Sequence, residues 1–424
     1  MIFAILLTML TYILGLIFTH SGPFQMIVYW YKGFWTLLAF GMQMCIILVT
    51  GYALATTPAL QKVLRGLAGL PKTSGGAAAL VAFVACVAAL INWGLGLIVG
   101  AIFALEVARQ GARSNRRLHY PLIVAAGYAG LAVWHMGLSG SAPLLVATEN
   151  HFLAKEIGII PVAKTLGSTM NIVTIIIMLI LVPLVFFLLA PKDESKIETI
   201  RPELCETSEE KVIAKEEWTL ADRLENSIFL SLVIGVAGLI YIVYYFATKG
   251  FALNLNIVNF IFLMLGIILH KRPIAYVHAV AEGVRGCTGI ILQFPFYAGI
   301  MGMMKFSGLV AVIANWFVAL SNSTTYPVFT FISAALVNLF VPSGGGQWAV
   351  QGPIMVKAAE ALNFSIPKTI MALAYGDQWT NLFQPFWALP LLGICGVRAR
   401  DIMGYCMAVM FIGIPVYIIL LLIF

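Results

Sequence analysis

Long apolar runs, separated by short polar stretches, follow one another along the whole chain. Nine of them are long enough to cross a bilayer as helices, since about 20 apolar residues span the hydrocarbon core. These runs cover residues 1–19, 34–56, 120–147, 166–190, 227–247, 255–270, 280–304, 367–395 and 401–424. The pattern predicts an all-α polytopic membrane protein with about nine transmembrane helices.

Two further apolar segments, residues 75–108 and 325–361, are predicted to be re-entrant hairpins with broken helices. The first has basic residues at both ends, a helix-breaking tip at residues 92–96, and less than the roughly 40 residues that two crossings need. The second is interrupted at residues 341–347, where Pro342 is followed by three glycines. Such a break is tolerated at bilayer depth only where protein or a watery cavity covers the backbone.

The two halves of the chain share a pattern. Residues 88–92 resemble residues 334–338, and both stretches precede a hairpin break. Tyr128 and Pro143 follow the first stretch at nearly the spacing at which Tyr375 and Pro390 follow the second. We predict a first repeat at 1–191, a cytoplasmic polar loop at 192–226, a linking helix at 227–247 and a second repeat at 248–424. The single linking helix inverts the second repeat, an arrangement typical of secondary transporters with a site at the midplane.

Composition supports this interpretation. Of the 424 residues, 61% are hydrophobic and 10% are charged, too few charges to cover a soluble protein of this length. The net charge of +7 does not indicate nucleic acid, because most basic residues lie in short loops between apolar runs. The six cysteines form no CxxC motif, so we expect neither a metal site, a disulfide framework nor any cofactor.

The arginines predict the orientation in a bacterial inner membrane. On this layout they all fall on one side, which is then cytoplasmic: Arg65, Arg109, Arg113, Arg116, Arg117, Arg201, Arg223, Arg272, Arg285, Arg398 and Arg400. The N-terminus would be cytoplasmic and the C-terminus outside, with the first hairpin entering from the cytoplasm and the second from outside. Several lysines fall outside. The sequence leaves undecided whether the protein forms a homodimer in the bilayer.

Polar and glycine residues at the breaks are candidates for binding cargo. Glycines allow a close backbone approach, and N–H groups at the start of a half-helix attract a carboxylate. The candidate residues are Asn92, Gly94, Ser139, Ser141, Asn338, Ser343, Gly344, Gly345, Gly346 and Gln347. Helix packing is the competing interpretation for the glycines, and local hydrogen bonding is the one for the serines.

Asp377 is the most expensive side chain to place in a membrane, so it must face a partner or a cavity. It is the candidate for coupling transport to H⁺ or Na⁺, with Thr380 and Asn381 beside it on the helix. A structural, hydrogen-bonded role is the alternative. His135 can shuttle protons, but a lone histidine is more often structural, and we favour that interpretation.

These segments resemble the bacterial short-chain fatty acid transporter family, of the type associated with acetoacetate and butyrate use. The matching stretches are residues 33–44, 91–94, 293–300, 341–346, 384–390 and 400–406, spread over nearly the whole chain. The resemblance implies uptake of a short-chain fatty acid anion and, more loosely, an ion-transporter fold with inverted hairpins. It supplies no map of binding residues.

Other classes fit less well. An aspartyl intramembrane protease needs two membrane carboxylates, and only Asp377 is well placed. A nucleophilic pair of His135 with Ser139 or Ser141 stays open by spacing, but an enzyme has no need of an inverted repeat. A channel also stays open. A di- or tricarboxylate transporter is the nearest alternative, although the hairpin tips contain no Arg or Lys for a second carboxylate. We therefore expect a transporter rather than an enzyme.

Overall fold

The computed structural model describes residues 2–205, 219–339, 341 and 343–424, and these contain helices but no β-strand. The first half contains α1 (Ile2–Phe18), α2 (Pro23–Phe34), α3 (Leu38–Ala55), α4 (Pro58–Ala68), α5 (Ser74–Ile91), α6 (Trp93–Arg113), α7 (Tyr120–Tyr128), α8 (Ser141–Val146), α9 (Ala154–Ile157) and α10 (Thr169–Leu188). The second half contains α11 (Leu220–Glu225), α12 (Ile228–Lys249), α13 (Leu255–His270), α14 (Pro273–Val284), α15 (Thr288–Ser307), α16 (Leu309–Leu320), α17 (Tyr326–Asn338), α18 (Gly344–Ala361), α19 (Ile366–Asn381), α20 (Pro385–Cys395) and α21 (Ala399–Ile423). The predictions for Pro342 and for residues 206–218 of the polar loop lie outside the described residues.

The all-α membrane prediction is confirmed. In the described part of the chain, 8 helical segments are long and apolar enough to cross a membrane. The predicted linking crossing appears as α12, whose apolar window is only 17% buried inside the protein. Most of its side chains are therefore free to face lipid.

Two predicted crossings are interrupted near their midpoints. The run at 120–147 contains α7, the 3₁₀ turns Ala129–Ala132 and Trp134–Met136, and then α8. The run at 367–395 ends its first helix at Asn381 and begins a new one at Pro385, which lacks the N–H needed to continue the ladder. Three helices of eleven or more residues, α2, α4 and α16, were not predicted as crossings or hairpin arms.

The first predicted hairpin consists of α5 and α6, which meet at one residue. Asn92 takes an extended conformation, and its Oδ1 accepts the N–H of Leu95 at 2.9 Å, so it ends one helix and caps the next. The helices have 18 and 21 residues, and each is long and apolar enough to cross. The length argument for re-entry therefore does not hold, and the re-entrant path stays a prediction.

The second half repeats the helix pairings of the first. In the first half α3 and α4 pack against α6, and α7 packs against α5. In the second half α15 and α16 pack against α18, and α19 packs against α17. The broken segment that follows α7 also packs against α19, which joins the halves at the centre. The structure thus brings the interrupted helices of both halves together.

A glycine pair allows one of the closest approaches in the first half. A Cβ on Gly100 would lie 2.0 Å from the carbonyl oxygen of Gly127, so only glycine fits where α6 crosses α7. This contact fixes α7 against the start of α6. The 3₁₀ turn that carries His135, Trp134–Met136, follows α7 after one intervening 3₁₀ turn, Ala129–Ala132, so the same packing helps to position it.

Candidate functional site

A small cavity lies where the broken helices of the two halves meet. Its volume is about 20 Å³, and its lining comes from both halves of the chain: Met44, Trp93, Leu131, Trp134, Ser141, Ile290, Phe294, Ser343, Gly344, Asn381 and Trp387. We call it the central cavity. Among the candidate residues predicted from the sequence, it is lined by Ser141, Ser343, Gly344 and Asn381.

The central cavity has apolar walls and a few polar atoms. The indole rings of Trp93 and Trp387 contact each other with centroids 5.2 Å apart, and Trp134 lies 6.1 Å from Trp93. The indole N–H groups of Trp93 and Trp134 are buried, and neither has a hydrogen-bond acceptor among the described residues. The hydroxyl of Ser141 contacts only the sulfur of Met44, at 3.5 Å, which is a weak acceptor. The lining thus combines apolar side chains with donor groups that have a weak acceptor or none among the described residues.

The Ser343 to Gln347 tip begins α18. The hydroxyl of Ser343 accepts the N–H of Gly346 at 3.3 Å and caps the helix. The Cβ directions of the three glycines point at protein: a Cβ on Gly344 would meet His135, one on Gly345 Phe40, and one on Gly346 Tyr297. Because these glycines have no side chains, the rings of His135, Phe40 and Tyr297 pack directly against the backbone of the tip.

Other predicted residues hold the breaks in shape. The amide nitrogen of Asn92 donates to the carbonyl of Ile47 at 3.1 Å, and the backbone N–H of Trp93 donates to the hydroxyl of Ser139 at 2.8 Å. A Cβ on Gly94 would lie 3.0 Å from a carbonyl oxygen of α3, at Leu48. Gln347 donates to the carbonyl of Ala334 at 2.7 Å. Asn92, Gly94, Ser139 and Gln347 lie behind the cavity wall and do not line it.

Asn338 is the centre of a buried network. Its amide nitrogen lies 2.9 Å from the carbonyl oxygen of Asp377, 2.9 Å from the hydroxyl of Thr380 and 2.9 Å from the side-chain oxygen of Asn381. Thr380 in turn donates to the carbonyl of Ala335 at 3.0 Å. The network connects the end of α17 to α19. The side-chain oxygens of Thr380 and Asn381 are therefore already within hydrogen-bond distance of the Asn338 amide.

The carboxylate of Asp377 faces His135. The His135 Nδ1 and the Asp377 Oδ2 are 3.0 Å apart, and both side chains are 0% exposed. The approach lies off the direction of a straight hydrogen bond, and neither carboxylate oxygen has a well-aligned donor among the described residues. The sequence interpretation of His135 as a lone structural histidine missed this pair. One signal pointed to it: His135 is the only basic side chain in the middle of a predicted crossing.

A wider opening of about 540 Å³ lies along α2, α15, α16 and α18. It is lined by both lysines and glutamates, Lys305, Lys357, Glu156 and Glu360 among them. Lys305 and Glu156 approach to 3.6 Å, with both side chains substantially exposed. The central cavity differs from it in having no charged side chain among the described residues that line it.

Comparison with known proteins identifies the family. A model described as short chain fatty acid transporter matches residues 1–424. A relative from Escherichia coli (strain K12) is 45% identical over 417 residues, covering 98% of this chain and 93% of the relative. A relative from Haemophilus influenzae (strain ATCC 51907 / DSM 11121 / KW20 / Rd) is 44% identical over 428 aligned residues, covering 99% of this chain and 94% of the relative. Both relatives are provisionally named short-chain fatty acid transporters.

Two solved structures share the fold at low sequence identity. The MtrF protein of Neisseria gonorrhoeae, described within a class of antimetabolite efflux pumps, has a TM-score of 0.57 at 16% identity, covering 99% of this chain and 93% of that one. The YdaH transporter of Alcanivorax borkumensis, described as having an unusual topology, has a TM-score of 0.59 at 16% identity, covering 99% of this chain and 96% of that one. The family model that matches residues 1–424 and the two relatives of 45% and 44% identity show that the chain belongs to the short-chain fatty acid transporter family.

Proposed function

We propose that this protein is a secondary active transporter that moves short-chain monocarboxylates such as butyrate or acetoacetate across the bacterial inner membrane. Family membership supports a transporter role. The repeated helix pairings and the breaks at the centre agree with the architecture in which a cargo site lies between two repeats. The proposal includes a cytoplasmic N-terminus, inverted repeats and a fatty acid anion as cargo.

The composition of the central cavity is the observation that carries this proposal. Trp93 and Trp134, whose buried indole N–H groups have no acceptor among the described residues, line the cavity together with Ser343 and Gly344 at the start of α18. Donors of this kind can bind one carboxylate, and the aromatic walls suit a short alkyl chain. Among the described residues no Lys or Arg lines the cavity, so a second or third carboxylate would be left without a counter-charge there.

The cavity must widen to admit cargo. Its volume of about 20 Å³ holds little more than one water molecule. The described conformation therefore leaves no room for a short-chain fatty acid in the central cavity. The side chains that touch the tip glycines, Phe40 and Tyr297 among them, are the ones that must move when the cavity opens.

Transport against a gradient needs a coupled ion, and we assign the coupling to Asp377. Its side chain is 0% exposed, and an uncompensated carboxylate in such a place costs several kcal/mol, so binding H⁺ or Na⁺ stabilises it. The sequence predicts Thr380 and Asn381 as further coupling residues. Their hydrogen bonds with Asn338 favour a different role, which is to hold α19 in place.

Counterflow in proteoliposomes tests the proposal. Vesicles loaded with unlabelled butyrate should take up labelled butyrate with saturation, after subtraction of uptake by protein-free vesicles, which butyric acid enters unaided. Succinate and citrate should compete poorly. Counterflow with succinate but not butyrate would assign the protein to dicarboxylate transport, and uptake without saturation or counterflow would indicate a channel.

Matched tryptophan variants locate the site. Trp93→Phe and Trp134→Phe each remove one donor at the cavity, and the loss of a hydrogen bond to a charged group, about 1.5–3 kcal/mol, should raise the half-saturating butyrate concentration about 10-fold or more. Trp348→Phe is the control, because the buried indole N–H of Trp348 also has no acceptor among the described residues, but Trp348 does not line the cavity. Equal effects at Trp348 and Trp134 would remove the cavity from the cargo site.

A further inference from the structure

His135 stands between the central cavity and Asp377. The indole of Trp134, a cavity-lining residue, stacks on the imidazole at 4.1 Å between centroids. A Cβ on Gly344, also in the lining, would lie 2.3 Å from Cε1 and 2.8 Å from Nε2 of His135. Asp377 does not line the cavity and has no exposed surface. The imidazole thus lies between the carboxylate and two lining residues, Trp134 and Gly344, while Asn381, one helical turn from Asp377 on α19, lines the cavity on another side.

The two ring nitrogens of His135 have different surroundings. Nε2 lies 3.3 Å from the backbone N–H of Ala142 and accepts it. A nitrogen that accepts carries no proton, so the hydrogen-bond network assigns the ring proton to Nδ1. Nδ1 is the atom 3.0 Å from the Asp377 carboxylate. One nitrogen therefore faces the cavity side and the other faces the carboxylate.

The surroundings of Asp377 do not suit a sodium ion. Hard cations need several oxygen ligands, and the imidazole of His135, whose Nδ1 lies 3.0 Å from the carboxylate, supplies none. The hydroxyl of Thr380 donates to the carbonyl of Ala335 and lies within hydrogen-bond distance of the Asn338 amide nitrogen. The same amide nitrogen also lies within hydrogen-bond distance of the side-chain oxygen of Asn381. The oxygens predicted to complete an ion shell are therefore engaged, while a proton needs only the carboxylate.

Other titratable groups near the pair are few. Tyr417 is held by its hydrogen bond to the carbonyl of Ala132 and its contact with Gln378, and Tyr375 by Asn171. The remaining titratable side chains on α5, α6, α18 and α19, the helices packed around His135, are Cys86, Glu106, Arg109, Arg113, Lys357, Glu360 and Lys368. Apart from the thiol of Cys86, these lie two or more helical turns from the pair.

We propose that the coupled ion is a proton and that His135 passes it between the central cavity and Asp377. This inference rests on the proposed function and deepens it. A proton from the cavity binds Nε2 as the Ala142 N–H withdraws. The Nδ1–H bond then breaks and the proton binds Oδ2 of Asp377, which becomes a neutral carboxylic acid. The imidazole is left neutral with its proton on Nε2, and the reverse sequence discharges the site.

Equilibrium binding tests the identity of the ion. Tryptophans line the cavity, so their fluorescence should report butyrate binding to the purified protein in lipid nanodiscs. Between pH 6 and 8, the apparent Kd should fall by up to about 10-fold for each unit of pH decrease, the limit for one linked proton. Sodium should have no effect. Asp377→Asn should bind with no pH dependence, and a Kd that follows sodium, or a pH slope unchanged in Asp377→Asn, would overturn the inference.

Transport kinetics test the relay. His135→Asn keeps an N–H donor near the position of Nδ1 but cannot pass a proton, so it should retain pH-linked binding and lose at least 10-fold in the rate of proton-driven uptake. Retained binding shows that the variant is folded. Should it bind no butyrate, His135→Gln is measured in the same way. Normal uptake rates in either variant would refute the relay. Absence of saturable butyrate binding by the unaltered protein at any pH would instead refute the proposed function.

Discussion

Gly344→Ala tests the contact between the tip of α18 and His135. The new methyl group would lie 2.3 Å from Cε1 of His135 and 2.9 Å from the far edge of Trp134. Ordinary carbon contacts lie near 3.5 Å, so the imidazole must withdraw by about 1 Å. Both rings are confined, since His135 is fully buried and Trp134 stacks on it. Overpacking of this kind costs about 1–3 kcal/mol.

The functional loss should exceed what this destabilisation explains. A shift of about 1 Å is enough to separate Nδ1 from a carboxylate that it approaches at 3.0 Å, because hydrogen-bonding interactions weaken steeply with distance. Butyrate uptake driven by a pH gradient should fall at least 10-fold, while thermal unfolding in detergent shifts by a few degrees.

Gly393→Ala is the matched control for this prediction. Gly393 lies in α20, and a Cβ there has no atom within 4 Å. Replacing a helical glycine by alanine at an open site is neutral or stabilises by about 0.5–1 kcal/mol. Uptake should be unchanged. The reasoning is wrong if Gly344→Ala transports as well as Gly393→Ala.

Three further predictions concern the network, the coupling and the orientation. Asn338→Ala leaves buried acceptors on Thr380 and Asn381 unpaired and should destabilise the protein by about 2–3 kcal/mol in thermal unfolding; a change within 0.5 kcal/mol would show that the network carries no weight. Asp377→Asn should abolish accumulation driven by a gradient while butyrate exchange survives, and unchanged accumulation would make the residue structural. In a background without native cysteines, Ser114→Cys, at the exposed end of α6, should react with an impermeant thiol reagent only from the cytoplasm, and Ala361→Cys, at the end of α18, only from outside. Labelling of both from the same side would contradict the inverted repeat.

The sequence predicted the elements whose ends carry local signals. The crossing at 255–270 coincides with α13 because Asn254 caps its start and the apolar run stops at His270. The break at Asn92 was likewise predicted, since an asparagine followed by glycines interrupts an apolar segment. The missed helices have weaker signals. For example, α4 has the polar residues Gln61, Lys62 and Arg65 among its apolar ones and is too short to cross.

The site was predicted in its parts but not in its arrangement. From the sequence we predict that Asp377 faces a partner or a cavity, because a carboxylate without one is energetically costly inside a membrane. The partner itself lies on the other half of the chain, so its identity depends on how the 3₁₀ turn after α7 packs on α19. Trp93 and Trp134 were absent from the sequence-based candidates because tryptophans in apolar runs usually serve packing. Only the structure reveals that their N–H groups lack acceptors.

The most direct test of the central claim is a structure of the protein with 4-bromobutyrate, because bromine reports the position of the cargo by anomalous scattering. The account predicts a bromine peak in the central cavity, against the rings of Trp93, Trp134 and Phe294, with the carboxylate at the indole N–H groups and the start of α18. A peak confined to the wide opening beside Lys305 and Lys357, with the central cavity empty at saturating ligand, would contradict it.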